Sequence, residues 1–168
     1  MKAGRQRAAA PVKSEEKHVV NGWALYTHPK FDEQYETLIA AVEAENKKDQ
    51  ANYQKTNAAK ILSAVQELIE KQIPADPTDK KYRQGDALGA GNKNWFRAKF
   101  YGQFRLFFRF DSKSKTIVYA WLNDEDSLRA YDSKTDAYAT FQKMLAHGNP
   151  PKSFDDLLKV SGSIAGKK

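Results

Sequence analysis

The chain has 168 residues, no cysteine, and 28 lysines and arginines against 21 aspartates and glutamates, for a formal net charge of +7. That length suits one domain, and the missing cysteines exclude a disulfide framework, a thiolate metal site and a cysteine nucleophile. The positive balance suits a polyanionic partner but does not separate one from an ordinary soluble protein.

In chain order, "MKAGRQRAAAPVKSEEK" lacks the apolar core of a secretory signal and reads as a flexible basic arm over residues 1 to 17. No run reaches the apolar length of a membrane span, so a soluble, cytoplasmic protein is expected. "VVNGWALYT" predicts a first strand near residues 19 to 27, ended by His28 and Pro29. Apolar residues at Phe31, Tyr35, Leu38, Ile39 and Val42 have helical spacing. Tyr53, Ile61, Leu62, Val65, Leu68, Ile69 and Ile73 form the stripe of a second helix, stopped by Pro74 and Pro77.

A polar, glycine-containing connection follows. Its "GAGNKN" run does not make a phosphate loop, because no Gly-Lys-Ser/Thr follows and the next element reads as a strand. "NWFRAKFYGQFRLFFRF" predicts two strands around Tyr101-Gly102-Gln103. Alternation sends Phe96, Ala98, Phe100, Phe104, Leu106, Phe108 and Phe110 to a core face. Trp95, Arg97, Lys99, Arg105, Phe107 and Arg109 go to a cationic, aromatic face. "TIVYAWL" is apolar on both faces and predicts a central covered strand. A helix over about residues 137 to 146 ends at Gly148, Pro150 and Pro151, and residues 152 to 160 suit one more short helix. Residues 161 to 168 read as a disordered tail, leaving residues 18 to 160 as the folded domain. The expected architecture is a small α+β domain in which an N-terminal strand and an antiparallel three-strand meander pack against two long helices and a C-terminal helix.

The three histidines have no metal-ligand spacing, and "NDED" at 123 to 126 is better read as a turn or helix start than as a metal site. No serine sits in a nucleophile elbow. The basic hairpin remains, and a solvated or partner-covered sheet face accounts for it as well as a catalytic one. The catalytic reading rests on the chemistry of RNA. As the 2′-hydroxyl attacks the scissile phosphate, charge builds on its oxygens, and arginines on rigid strands stabilise that charge without reorganising. An aromatic ring such as Trp95 or Phe107 beside the cations suits base stacking.

"GDALGAGNKNWFRAKFYGQFRLFFRF", followed by a strand and "NDEDSLRAYDSKTDAYATFQKML", resembles the RelE superfamily of bacterial toxins. "VNGWALYTHPKFDEQY", "FRLFFRF", "NDEDSLRAY" and "KTDAYATFQKML" are more closely similar to the YhaV-type toxins, in the right order over residues 20 to 151. The resemblance implies a RelE-like fold and an mRNA endonuclease that needs no metal or cofactor, inhibits translation on or with the ribosome, and is neutralised by a PrlF-like antitoxin with an AbrB-like swapped hairpin. It places a phosphate ligand at Arg97, a phosphate ligand or proton carrier at Lys99, the clamp on the scissile phosphate at Arg105, and a stacking platform or general base at Tyr138. The remaining family arginine falls on Arg129, with Tyr131, or gives way to Lys134. Trp95, Phe107 and Arg109 complete the expected RNA face. A basic module that binds RNA or the ribosome without cutting is the alternative, and a scaffold for an acidic antitoxin is a third reading.

Overall fold

In the computed structural model, which describes residues 17 to 130 and 133 to 164, the polypeptide forms an α/β/α sandwich around one mixed sheet. The expected first strand is a hairpin of β1 (Val19–Val20) and β2 (Trp23–Thr27). Asn21 and Gly22 both take positive φ, the geometry of a two-residue turn whose twist matches paired strands, and Val20 lies opposite Trp23. His28 then caps α1 (Pro29–Lys48) by accepting the Lys30 N–H on Nδ1, and Pro29 supplies the preset φ of a first helical residue.

The second helical stripe is split. Helix α2 (Asn57–Glu67) continues as a wider turn over Leu68–Gln72, and Ile73–Ala75 closes it. In the wide turn the Ile73 N–H donates to the Leu68 carbonyl. The next carbonyl, Ile69, would look to residue 74 for its donor, and Pro74 has no N–H. The fully buried Tyr119 hydroxyl donates to it instead, at 3.0 Å. Pro74 therefore sits in the last turn, and the helix stops directly after it.

Strands β3 (Phe96–Phe100), β4 (Phe104–Asp111) and β5 (Thr116–Leu122) form the antiparallel meander, with Phe96 opposite Phe108 and Lys99 opposite Arg105. Strand β2 adds parallel to β5, so the sheet runs β1-β2-β5-β4-β3 and β3 is an edge. Every residue of the central strand β5 is buried, as its unbroken apolar run predicts. Ala120 is an extra residue there: Phe107 faces Trp121 and Phe108 faces Tyr119. Helix α3 (Ala137–Ala146) follows, then α4 (Phe154–Lys159). Strand β6 (Gly162–Ser163) pairs with β2, so the start of the expected tail belongs to the sheet. Among the described residues no helix is long and apolar enough to cross a membrane.

Both faces of the sheet are covered. One carries Leu25, Leu106, Phe108, Ile117 and Tyr119 against Phe31 of α1 and Ile61, Val65, Ile69 and Ile73 of the α2 stripe. The other carries Trp95, Phe107, Val118 and Trp121 against Phe141 and Leu145 of α3 and Leu157 of α4. The alternation predicted for the hairpin is the observed one, but its second face is a packed layer around Trp95 and Phe107, with the cations at its margin.

Candidate functional site

The β3–β4 hairpin places Arg97, Lys99 and Arg105 on the α3 side of the sheet. Its turn is fastened to the loop after β5. The Arg105 N–H donates to the buried Asn123 Oδ1 at 2.7 Å, and Asn123 Nδ2 donates to the carbonyls of Ser127 (2.8 Å) and Gln103 (3.2 Å). Gln103 and Arg129 exchange two further bonds, Arg129 N–H to the Gln103 carbonyl and Gln103 Nε2 to the Arg129 carbonyl, both at 3.0 Å. Asn123 opens the "NDED" cluster, and its neighbour Asp124 caps the short turn Glu125–Ser127.

Helix α3 contributes the tyrosine. Asp136 caps it, with Oδ2 accepting the amides of Tyr138 (3.0 Å) and Ala139 (3.2 Å). Its Oδ1 accepts the Ala130 amide at 2.8 Å and Arg129 Nη1 at 2.6 Å. Burial pushes this carboxyl up. The Ala130 amide, the Arg129 side chain and the Ala139 amide outweigh that and hold it below the ordinary aspartate value, so it is an anion at neutral pH. One carboxylate thereby fixes both the start of α3 and the guanidinium of Arg129, which lies 4.8 Å from the centre of the Tyr138 ring.

Two arginines meet on the Tyr138 hydroxyl. Arg97 Nε donates to it at 2.8 Å and Arg105 Nε at 3.1 Å. Arg97 Nη1 is held by the Lys81 carbonyl (2.8 Å), and Arg105 Nη1 by the carbonyls of Gly102 (3.0 Å) and Phe104 (2.9 Å). With both lone pairs of the phenol oxygen accepting, its O–H is left to donate, and the Nη2 groups are left to meet an anion. A phosphate oxygen is the natural acceptor for such a set. Lys99 is exposed and stands directly across the hairpin from Arg105, a like-charged pair that costs the sheet stability.

The structure brings Arg97, Arg105, Arg129 and Tyr138 together and puts Lys99 beside them. Tyr138 is not a stacking platform. It is 6 % exposed, and its ring is covered by Arg129, by Arg105 at 5.8 Å and by the edge of Phe107 at 5.6 Å. Trp95 and Phe107 have no exposed surface to offer a base. Trp95 meets Phe141 edge-on at 5.1 Å, and Phe107 stacks on Phe141 at 4.4 Å. Arg109 is also buried, against Trp95 and Phe154, with Nη1 donating to the Lys152 carbonyl. Burial lowers its pKa. It fastens the segment before α4 to β4, away from the exposed surface expected of it. Lys134 is exposed near the start of α3, and Tyr131 lies outside the described residues, as do residues 1 to 16 of the basic arm.

Asn123 and Asp136 were not among the expected site residues. Asp136 has a readable signal, an Asp directly before a periodic apolar run; Asn123 has none, since its role depends on a turn about twenty residues away.

A family of toxins with endonuclease activity, of toxin-antitoxin systems, the YhaV toxins, matches residues 25–162. The ribonuclease toxin YhaV of Escherichia coli K12 is 49% identical over 142 residues, which is 83% of this chain and 92% of that one. The toxin YhaV of E. coli O6:H1 is 50% identical over 140 residues, or 82% and 91%. Among solved structures, the toxin-antitoxin complex RelBE2 of Mycobacterium tuberculosis aligns with a TM-score of 0.41 at 14% identity, covering 68% of this chain and 98% of that one. With half of the aligned residues identical over most of its length and the family pattern spanning the three-strand meander and both C-terminal helices, this chain belongs to the YhaV family of toxins.

Proposed function

We propose that this protein is an endoribonuclease toxin that cuts mRNA at the Arg97–Arg105–Tyr138 cluster. The observation that carries the reading is the convergence of two guanidinium Nε groups on one buried phenol oxygen. In the reaction, the 2′-oxygen of the substrate attacks the neighbouring phosphorus while the bond to the 5′-oxygen breaks. A 2′,3′-cyclic phosphate and a 5′-hydroxyl result. The Nη2 groups of Arg97 and Arg105 bind the non-bridging oxygens, where charge develops, and Lys99 adds a third cation. Tyr138 donates its proton to the departing 5′-oxygen and regains one from water, which also takes the 2′-hydroxyl proton. Arg129 positions the Tyr138 ring.

The ring's burial favours a proton-donor role for Tyr138 over a stacking one, and its two bound donors favour it over a general base. Association with translating ribosomes, a cytoplasmic site of action and neutralisation by a PrlF-like antitoxin belong to the same proposal and rest on family membership. The test is to map mRNA 5′ ends in cells briefly expressing the chain, beside Arg105→Ala. New ends within translated regions, absent from the control, are expected. Growth arrest without new ends would instead identify a module that binds without cutting.

A further inference from the structure

Next to the site, the edge of the sheet is lined with cations. Beyond β3 the chain makes a short turn at Lys80–Tyr82, and Arg83 bridges to Phe96 of the edge strand. Between turn and strand lies a cavity of about 490 Å³ whose walls include Lys80, Lys81, Arg83, Arg97 and Lys99. Among the described residues none of these five lies within ion-pair distance of a carboxylate. Two carboxylates stand nearby, Asp79 accepting the Lys81 amide and Asp76 the Thr78 amide and hydroxyl, and they offset part of this charge while leaving the cations in excess. Five like charges around one concavity repel one another, and a polyanion relieves that repulsion.

We infer that this groove holds the RNA strand flanking the scissile phosphate, through its sugar-phosphate backbone. The inference rests on the nuclease reading above. Arg97 belongs to both places, with Nε on Tyr138 and Nη1 on the Lys81 carbonyl, so a strand clamped at the site continues directly into the groove. On the other side the site is closed by α3, where Tyr138 and Phe141 are buried. The groove has no ring for a base: Tyr82 is 3 % exposed and packs edge-on against Phe108. Its contribution is therefore to affinity and register, with sequence preference set elsewhere.

The test compares the full-length chain with Lys80→Gln/Arg83→Gln, two exposed side chains, and with Lys47→Gln/Lys48→Gln at the far end of α1 as control. Cleavage of a single-stranded RNA is followed at several salt concentrations. The groove variant is expected to raise KM on the order of tenfold with kcat little changed, and to flatten the log–log salt slope by about 1.4, the value for two lost phosphate contacts on a single strand. The control should move neither. An unchanged KM and slope, or a fall in kcat alone, would overturn the inference. Binding of labelled RNA is measured in parallel by fluorescence anisotropy with all chains carrying Arg105→Ala. A chain that binds through the groove but never cuts leaves the groove standing and removes the nuclease reading. A groove variant that cuts and binds RNA like the parent, but no longer binds the antitoxin, assigns the groove to a protein partner and overturns the inference.

Discussion

Replacing Tyr138 by phenylalanine removes one oxygen and leaves the ring in place, so the contacts of that ring with Arg129 and Phe107 survive. Two charged donors lose their acceptor. Arg97 is half-buried and regains water, whereas Arg105 is 7 % exposed and its Nε does not. A hydrogen bond to a charged group contributes about 1.5–3 kcal/mol net, so destabilisation of about 2 kcal/mol is expected, nearly all from Arg105. For a chain of this size that is a fall in Tm of about 4–8 °C, read by thermal unfolding. The cleavage rate at saturating RNA should drop by about 10² to 10⁴ if the hydroxyl protonates the leaving oxygen. Loosened arginines alone would also slow cleavage, and a substrate with sulfur in place of the bridging 5′-oxygen separates the two causes. Thiolate leaves without protonation, so Tyr138→Phe should cut that substrate nearly as fast as the parent does. A defect of equal size on both substrates would refute the proton-donor role and leave Tyr138 as a support for Arg97 and Arg105. A folded variant with full activity on the ordinary substrate would remove it from the site altogether.

Arg109→Met tests the buried reading of that residue: stability should stay within about 1 kcal/mol, because a desolvated cation is exchanged for an apolar chain, and RNA cleavage should be unaffected. A large fall in RNA affinity would return Arg109 to the RNA face. Asp136→Asn should destabilise the fold at pH 7 by about 1–2 kcal/mol, since one strong acceptor at the helix start becomes a donor. The folded pKa of Asp136 lies below its unfolded value of about 3.9, so its contribution is whole above that pH and is lost as pH falls through the folded pKa. Urea unfolding at pH 7 and again near pH 3 should therefore show the gap between parent and variant closing in acid; a constant gap would contradict the assignment. Tyr119→Phe leaves the Ile69 carbonyl without a donor and should cost about 1–3 kcal/mol in urea unfolding. Adding Pro74→Ala, which restores an N–H in the last turn of the helix, should recover part of that loss, whereas strict additivity would mean the hydroxyl is not compensating for the proline.

The parts of this fold that could be read from the chain are those set by local period. Strict alternation from Phe96 to Phe110 assigns each side chain its face, and Ala137, Tyr138, Phe141 and Leu145 at helical spacing mark α3. The Asn21-Gly22 turn is equally local, a known hairpin pair within a run of strand-forming residues, and it divides the single strand expected over residues 19 to 27 into two. What covers a face is not local. The cations of the hairpin suggest open solvent, yet α3 arrives some thirty residues later and lays Phe141 on Phe107. Trp95 and Phe107 among the arginines were the signal: large rings on a nominally polar face are more economically explained by a second packed layer than by base stacking. The site shows the same division. Family resemblance named Arg97, Arg105 and Tyr138, whereas Asn123 and the Lys81 carbonyl enter through long-range hydrogen bonds that no spacing encodes.

That second layer also explains how so many cations are held still. A guanidinium on an exposed strand has several rotatable bonds and loses much of its freedom on binding an anion. Here Arg105 is confined by the fold itself: its amide is on Asn123, Nε on Tyr138 and Nη1 on the carbonyls of Gly102 and Phe104. Arg97 is fixed by Tyr138 and Lys81, and Arg129 by Asp136. All of these anchors except the Asp136 carboxylate are neutral, so they orient the guanidinium groups without cancelling their charge. Preorganised donors that keep their charge are what a developing phosphorane dianion requires, since they need not turn toward it as it forms. The like-charged pair of Lys99 and Arg105 is then understandable as a cost to the sheet that the packed layer of Trp95, Phe107, Trp121 and Phe141 offsets.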